Sequence, residues 1–416
     1  MDVFKRNINN IFFIFILSHL IIWTLVPAIT NRNLPLDVIE ALAWGSNLDW
    51  GFNKHPPAIF VVIAFIYVFK LAKKIFNHSL LSLISVLLLE AIYFYNFTTP
   101  EFNVNVCQLP FWSLVVYYSW KIYNQNKTNI LDFILVGLFG AIGFLSKYLF
   151  AYLLLSVLLL FLYLIFFKKN KKFNFNYLIS LEVFIVLLVP HLIWLNENNF
   201  ITILYGLKRT GLEETNILNH FKFPLSFLLK QLALLIPFLV LTKLLIKKLS
   251  FKVNFKDKKT LFLVFINIVP ISLILLTSII LGSKIRTMWM TPFYLFFGIM
   301  VVHLAKSQID LKNIKLFIIS FIFLFFLSPI LYSYISVKQT DKRTDYRGKE
   351  IAMKVQYAWD NQFDNPINVV LGNEWNAGNL SYHLKTRPSW IGFIDQNKIN
   401  NLKEHMCIDE VCVGYK

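Results

Sequence analysis

Long apolar runs recur along almost the whole chain and constrain its fold more than any other sequence feature. Each run approaches the roughly 20 residues that an α-helix needs to cross the hydrocarbon core of a bilayer. Because lipid offers no partner to backbone polar groups, each run is predicted to be a helix. We identify eleven runs, at residues 9–28, 57–74, 79–96, 107–122, 131–146, 148–167, 177–195, 223–246, 260–282, 288–305 and 315–336.

The composition agrees with this pattern. Hydrophobic residues make up 57% of the chain and charged residues only 15%, whereas about 25% of the residues in soluble domains are charged. The predicted fold class is therefore an all-α polytopic membrane protein with about 11 transmembrane helices. No small-residue cleavage site is evident near residue 28, so the first run is expected to be retained as a span.

The net charge of +18 comes largely from lysines in short connections between the runs, at 70–78, 120–130, 168–176, 243–259 and 306–315. This is the positive-inside pattern, so the charge indicates topology and no nucleic-acid partner is expected. With these connections inside, the outside receives 29–56, 97–106, 146–148, 195–222, 283–287 and the tail from about 337. In a bacterium the outside is the periplasmic side of the inner (plasma) membrane.

The outer connections also hold most of the unusual polar side chains. Polar groups that converge at one membrane face are the default hypothesis for a functional site. The candidates are Asp37, Glu40, Lys54 and His55 in the first connection, and Glu101, Asn105, Lys147, Lys284, Arg286 and Trp289 in the later ones.

Asp37 and Glu40 lie three residues apart. If residues 36–46 are helical, both carboxylates share one face, with Trp44 one turn further along. Two close carboxylates can divide the roles of general base and orienting group. Acidic residues are also favoured in the first turn of any helix, so a purely structural helix start is an equal alternative.

The cations of the outer connections have two interpretations. Each of Pro56 and Pro57 forces the residue before it out of the helical region, so Lys54 and His55 are expected on an extended segment. The alternative is an ordinary helix start that is preceded by a snorkelling lysine. Lys147, Lys284 and Arg286 lie where the topology disfavours positive charge. An anionic substrate group such as a lipid phosphate would pair with them, and headgroup anchoring is the alternative.

Residues 337–416 are polar, with short β-rich runs such as "INVVLG" and "RPSWIGFI". The predicted division is a transmembrane domain over 1–336, with 29–56 as its first outer loop, and a small α/β or irregular outer domain over 337–416. Cys407 and Cys412 are predicted to form a disulfide in an oxidising compartment, although free thiols remain an alternative because a short loop gains little stability. Cys107 is expected to be a packed thiol, and no zinc spacing occurs.

The first outer stretch resembles the first outer loop of GT-C glycosyltransferases, and above all the bacterial family 39 proteins of the protein-mannosyltransferase and aminoarabinose-transferase type. The resemblance rests on Asp37, Glu40, Trp44-Gly45, Gly51-Phe52 and Lys54-His55-Pro56-Pro57. Phe52 replaces the commoner Tyr, and Asp37-Val38 replaces the frequent Asp-Glu pair. Further similar segments are "FNVNVCQLPFW", "GFLSKYLFA", "PHLIWLNENNF" and "KIRTMWMTPFYLFFG".

This resemblance implies an inverting transfer of a sugar from a polyprenyl-phosphate carrier to a hydroxyl of a glycolipid, polysaccharide or protein. It implies Asp37 as the general base and Glu40 as a supporting or acceptor-binding carboxylate. The implied donor phosphate-binding candidates are Lys54, Lys147, Lys284 and Arg286, and the substrate-binding candidates are His55, Glu101, Asn105 and Trp289.

Carboxylates also suit Mg²⁺ or Mn²⁺. The lipid-monophosphate enzymes that the chain resembles mostly work without a metal, so no cofactor is expected. A multi-span transporter or lipid flippase is the alternative from another class, although such proteins often show inverted repeats and none is evident here. A structural partner in a cell-envelope complex would need no carboxylate at position 37.

Overall fold

The computed structural model describes residues 2–45, 58–100, 103–125, 129–168, 174–211, 216–246, 253–310 and 313–416. Every predicted apolar run is helical over most of its described length, so the chain is an all-α polytopic membrane protein. The helices up to residue 338 are α1 (Asp2–Thr30), α2 (Leu36–Gly45), α3 (Ala58–Phe76), α4 (Ser79–Leu87), α5 (Val104–Asn124), α6 (Ile130–Ser146), α7 (Ala151–Leu162), α8 (Asn176–Glu197), α9 (Ile201–Arg209), α10 (Asn219–Leu245), α11 (Lys258–Leu281), α12 (Phe297–Ala305) and α13 (Ile314–Lys338).

The predicted number of eleven spans is higher than the structure supports. Within the described residues, six helices are long and apolar enough to cross a membrane. A seventh span results if the 3₁₀-helix Thr287–Tyr294 and α12, which are bent by 53°, count as one. The six are Asn7–Thr30, Tyr148–Phe167, Asn176–Glu197, Asn219–Leu245, Lys258–Leu281 and Ile314–Lys338.

The other predicted spans fall short for physical reasons. The helical segments Ser79–Ala91 and Ile130–Ser146 are short, and α3 carries three lysines near its end. Helix α5 contains buried polar side chains such as Asn105 and Gln108. A helix surrounded by protein can carry such groups because they find partners away from lipid. Apolar run length alone therefore overestimates the number of spans.

The chain forms two compact units. The membrane unit contains the described residues within 1–24, 58–99 and 105–330. Its core includes the fully buried side chains of Trp112, Trp120 and Phe65. A Cβ atom at Gly298 of α12 would lie 1.9 Å from the carbonyl oxygen of Ser85 in α4, so only glycine permits this close helix contact.

The C-terminal unit contains the described residues within 25–57, 100–104 and 331–416. Its further elements are α14 (Gly348–Asp360), β1 (Val369–Gly372), α15 (Glu374–His383), β2 (Ser389–Trp390), α16 (Gln396–Asn400), β3 (Glu404–Ile408) and β4 (Val411–Tyr415). The four strands form one sheet in the order β2-β1-β4-β3, with β1 and β2 parallel and the other pairs antiparallel.

The fold of the C-terminal unit agrees with the α/β alternative predicted for the tail. Strand β1 lies in the "INVVLG" run and β2 in "RPSWIGFI". The predicted disulfide between Cys407 and Cys412 is confirmed, and it joins paired residues of β3 and β4. Cys107 is a buried thiol outside the disulfide, as predicted. The C-terminal unit also includes α2, so the proposed domain division at residue 337 stays a prediction.

Candidate active site

Helix α2 carries the two candidate carboxylates of the first outer connection. It begins immediately after Pro35, whose carbonyl oxygen accepts hydrogen bonds from the backbone N–H groups of Val38 (3.0 Å) and Ile39 (3.2 Å). Asp37 lies in the first turn, where a negative charge interacts favourably with the helix dipole. Because the segment is helical, Asp37 and Glu40 share one face, as the sequence predicts.

The buried face of α2 is formed by Ile39 and Ala43, both of which have no exposed surface. A helix turns by about 100° per residue, so Asp37 projects from nearly the opposite side of α2 and Glu40 from its flank. Both carboxylate side chains are half-buried. Both carboxylates therefore lie away from the apolar face through which α2 packs.

In the membrane unit, two other candidate residues, Asn105 and Trp289, both contact Lys147. The ammonium group of Lys147 donates a hydrogen bond to Oδ1 of Asn105 and lies 4.9 Å from the centre of the Trp289 ring. We call these three residues the Lys147 cluster. Asn105 is 2% exposed, whereas Lys147 and Trp289 are half-buried.

The backbone explains why Lys147 can reach its partners. It terminates α6 in an extended conformation, with φ −167° and ψ 131°, so its side chain leaves the helix axis. Asn105 lies in the first turn of α5, and Trp289 lies in the 3₁₀-helix Thr287–Tyr294. A partly buried ammonium with an amide and an aromatic partner suits an anionic group such as a phosphate.

The helical segments next to the second and fifth outer connections also contact each other. The Tyr95 hydroxyl donates a 2.7 Å hydrogen bond to the carbonyl oxygen of Thr291. The rings of Phe94 and Tyr294 stack, with centroids 6.2 Å apart and planes 4° apart. These contacts hold the 3₁₀-helix that carries Trp289, so the aromatic member of the Lys147 cluster has a rigid support.

Sequence reasoning missed a second polar group beside Lys147. The Tyr148 hydroxyl lies 2.7 Å from Nε2 of His191 in α8 and 2.9 Å from Oγ1 of Thr202 in α9. His191 is 8% exposed. The segments "SKY" and "PHLIW" were visible as unusual polar interruptions, but nothing in the linear sequence indicates that the side chains of Tyr148 and His191 meet.

Two further cations lie on the connection that precedes Trp289. Lys284 and Arg286 are both exposed. The Lys284 backbone N–H donates to the carbonyl oxygen of Thr210 (2.8 Å), and the Arg286 carbonyl oxygen accepts from Trp289 N–H (3.0 Å). Both side chains lie outside the contacts that define the Lys147 cluster, so their predicted phosphate-binding role stays a prediction.

Three other candidates, Lys54, His55 and Glu101, lie outside the described residues. Their predicted roles in phosphate binding and substrate binding therefore stay predictions. The same holds for the role of Asp37 as a base.

Comparison with known protein families gives one match. Residues 49–194 match the model of the dolichyl-phosphate-mannose-protein mannosyltransferase family. The matched segment covers about a third of the chain and includes Lys147 and Asn105, whereas Asp37, Glu40 and Trp289 lie outside it. A search of curated proteins gives no match. The family match supports a membrane-embedded glycosyltransferase of the GT-C type and gives no support to a transporter.

Proposed function

We propose that this protein transfers a sugar from a polyprenyl-phosphate carrier to an acceptor hydroxyl, with inversion at the anomeric carbon. The observation that carries this proposal is the family match over residues 49–194, a segment that supplies Lys147 and Asn105 to one polar cluster. The acceptor is a cell-envelope glycolipid, a polysaccharide or a protein. Mannose is the first sugar to test, because the matched family is named for it.

In the proposed reaction, the acceptor oxygen attacks the anomeric carbon as the bond to the carrier phosphate breaks. Asp37 takes the hydroxyl proton, which makes the oxygen a better nucleophile as the new bond forms. Glu40, on the same helix face, orients the acceptor. The electron pair of the broken bond leaves with the carrier phosphate, so negative charge increases there.

In the proposed mechanism, the Lys147 cluster stabilises the negative charge that increases on the carrier phosphate. The Lys147 ammonium stabilises the departing phosphate through a charge-assisted hydrogen bond, which is worth most where water is excluded. Asn105 and Trp289 hold the ammonium and contact the donor. Lys54, Lys284 and Arg286 are further phosphate-binding candidates, and His55 and Glu101 are further substrate-binding candidates. Cationic side chains supply the charge, so no resident metal or cofactor is part of the proposal.

We place the reaction on the periplasmic face of a bacterial inner membrane. Two observations support this topology. With seven spans, counting the bent pair as one, the lysine-rich connections 168–176, 243–259 and 306–315 share one side and the first outer loop lies on the other, as the positive-inside pattern requires. The disulfide between Cys407 and Cys412 suits an oxidising compartment, since disulfides are rare where thiols are kept reduced.

Cleavage of the donor distinguishes this proposal from a transporter or flippase. Purified protein in proteoliposomes would receive radiolabelled mannosyl-phosphoryl-polyprenol and a panel of envelope glycolipid and protein acceptors. A transferase releases polyprenyl phosphate and labels an acceptor. Movement of intact donor across the bilayer without any cleavage would instead support the transporter, and would contradict the proposal.

A further inference from the structure

Within the C-terminal unit, α15 packs directly against α2. Gly378 lies at the contact, where a Cβ atom would be 3.0 Å from Cγ2 of Ile39 and 3.2 Å from Cβ of Ala43. These distances are shorter than ordinary van der Waals contact, so even one methyl group would displace α2 slightly. Ile39 and Ala43 are fully buried, and Gly378 therefore lies where α15 packs tightly against α2.

A second attachment lies just before α2, at Asn33. Its backbone N–H donates to the carbonyl oxygen of Thr344 (2.8 Å), and its side-chain amide donates to Oδ1 of Asn379 in α15 (2.7 Å). Its own Oδ1 lies 3.1 Å from Nε2 of His383, which therefore acts as a donor. Asn33 is 5% exposed and Asn379 1% exposed, so the loss of either partner leaves buried polar groups unpaired.

Helix α2 depends on these attachments for its own stability. It has only ten residues, and isolated helices shorter than about 12–15 residues are marginal in water. The Asn33 attachment fixes where α2 starts, and the Gly378 contact fixes its rotation about its own axis. That rotation decides the direction in which Asp37 and Glu40 project.

We infer that α15 holds α2 in its working orientation, with Gly378 and Asn33 as positioning residues for the candidate base Asp37. This inference rests on the proposed function. It gives the C-terminal unit a specific task in the reaction, because correct placement of a catalytic group accounts for much of its effect. A misplacement of about 1 Å can cost on the order of 100-fold in rate.

The test places a larger side chain at the contact between α15 and α2. In Gly378→Val, the larger side chain displaces α2, so kcat should fall about 10–100-fold. The KM for the lipid donor should stay within about twofold of the wild-type value, as expected when only the position of a catalytic group changes. Hydrogen exchange of residues 36–45 should become faster in the same variant. If this variant does not fold, Gly378→Ala is the milder version, with one methyl group at the same contact.

Two matched variants make the result specific. Gly206→Val adds the same side chain to α9 where no atom lies within 4 Å, and it should leave kcat and the α2 exchange unchanged. Gly378→Val combined with Ile39→Ala keeps the total side-chain volume at the contact, and volume-conserving swaps are tolerated best. This double variant should recover most of the lost kcat, which a general loss of folding would not allow.

Unchanged kcat and unchanged α2 exchange in Gly378→Val would overturn the inference. So would a fall in kcat that the Ile39→Ala change fails to relieve. If the wild-type protein transfers no sugar, the proposed function fails separately. The exchange measurement still decides in that case whether α15 holds α2.

Discussion

The ammonium nitrogen of Lys147 lies 4.9 Å from the centre of the Trp289 ring, and the same group donates a hydrogen bond to Asn105. The three residues come from the first turn of α5, the end of α6 and the 3₁₀-helix Thr287–Tyr294. A cation held in this way, half-buried and between fixed partners, is already in place before an anion arrives. The Lys147 cluster therefore suits an anionic group such as a phosphate.

The replacement Lys147→Ala should lower kcat/KM for the lipid donor about 10–150-fold, which corresponds to the roughly 1.5–3 kcal/mol of a hydrogen bond to a charged group. Initial rates at varied donor concentration measure this effect. Lys256→Ala, which removes an exposed lysine, is the control and should match the wild type. An unchanged kcat/KM in Lys147→Ala would remove Lys147 from the proposed donor site.

Glu90→Ala should destabilise the membrane unit. Oε2 of Glu90 lies 3.2 Å from Nδ1 of His19, and both side chains are essentially without exposure. Loss of Glu90 leaves the buried imidazole of His19 without its polar neighbour, which costs about 1–3 kcal/mol. Joint replacement by His19→Phe and Glu90→Leu should recover most of this loss. Denaturation in detergent micelles measures the stability of each variant. The control is Glu197→Ala, which changes an exposed residue. Equal denaturation midpoints for Glu90→Ala and the wild type would refute the expectation.

Acid should weaken the C-terminal unit through His383. Burial, together with the charges of Arg387 and Lys349, lowers the pKa of His383 below its usual value. The unfolded chain takes up a proton near pH 6.5, whereas the folded protein does so only at lower pH. The stability contributed by the neutral imidazole is therefore complete above about pH 6.5 and declines as the pH falls below that value.

Thermal midpoints at pH 7.5 and pH 5.5 check this expectation. The wild type should lose more stability over this interval than His383→Gln, which has no group to protonate there. His405→Gln, which changes an exposed histidine on β3, should behave like the wild type. The same pH response in His383→Gln and in the wild type would assign the effect to other groups.

The hairpin of β3 and β4 should contain an oxidised cysteine pair in the purified protein. Alkylation under denaturing, non-reducing conditions should then modify Cys107 and leave Cys407 and Cys412 unmodified in the mass spectrum. The double change of Cys407 and Cys412 to Ser should lower the free energy of unfolding by about 2 kcal/mol, from loop-closure entropy. Three alkylated cysteines without reduction would show that the disulfide does not form.

The sequence predicts local features of this protein well. Apolar runs predict the helices because burial in lipid leaves the backbone no alternative. Asp37 suits the start of α2, since acidic residues are favoured in a first turn. The closely spaced Cys407 and Cys412 predict a short-range bond that depends on one hairpin.

The sequence does not predict contacts between residues that are far apart along the chain. The meeting of Lys147 with Trp289 depends on where α6 stops and on the contacts that hold the 3₁₀-helix Thr287–Tyr294. The packing of Gly378 against Ile39 joins distant parts of the chain. The predicted number of spans is wrong for a related reason. Run length does not show that the run at 288–305 is bent by 53°.

A single substitution tests whether Asp37 is the general base of the proposed sugar transfer. Asp37→Asn keeps the side-chain size and still suits the start of a helix, but it cannot accept the acceptor proton. Transfer of radiolabelled mannose from polyprenyl phosphate should be measured for wild-type and Asp37→Asn protein of equal thermal stability. General-base catalysis contributes about 10²–10⁴-fold, so kcat should fall on that scale with little change in donor KM, and Glu40→Gln should cost less. Near-normal turnover by Asp37→Asn would rule out Asp37 as the general base.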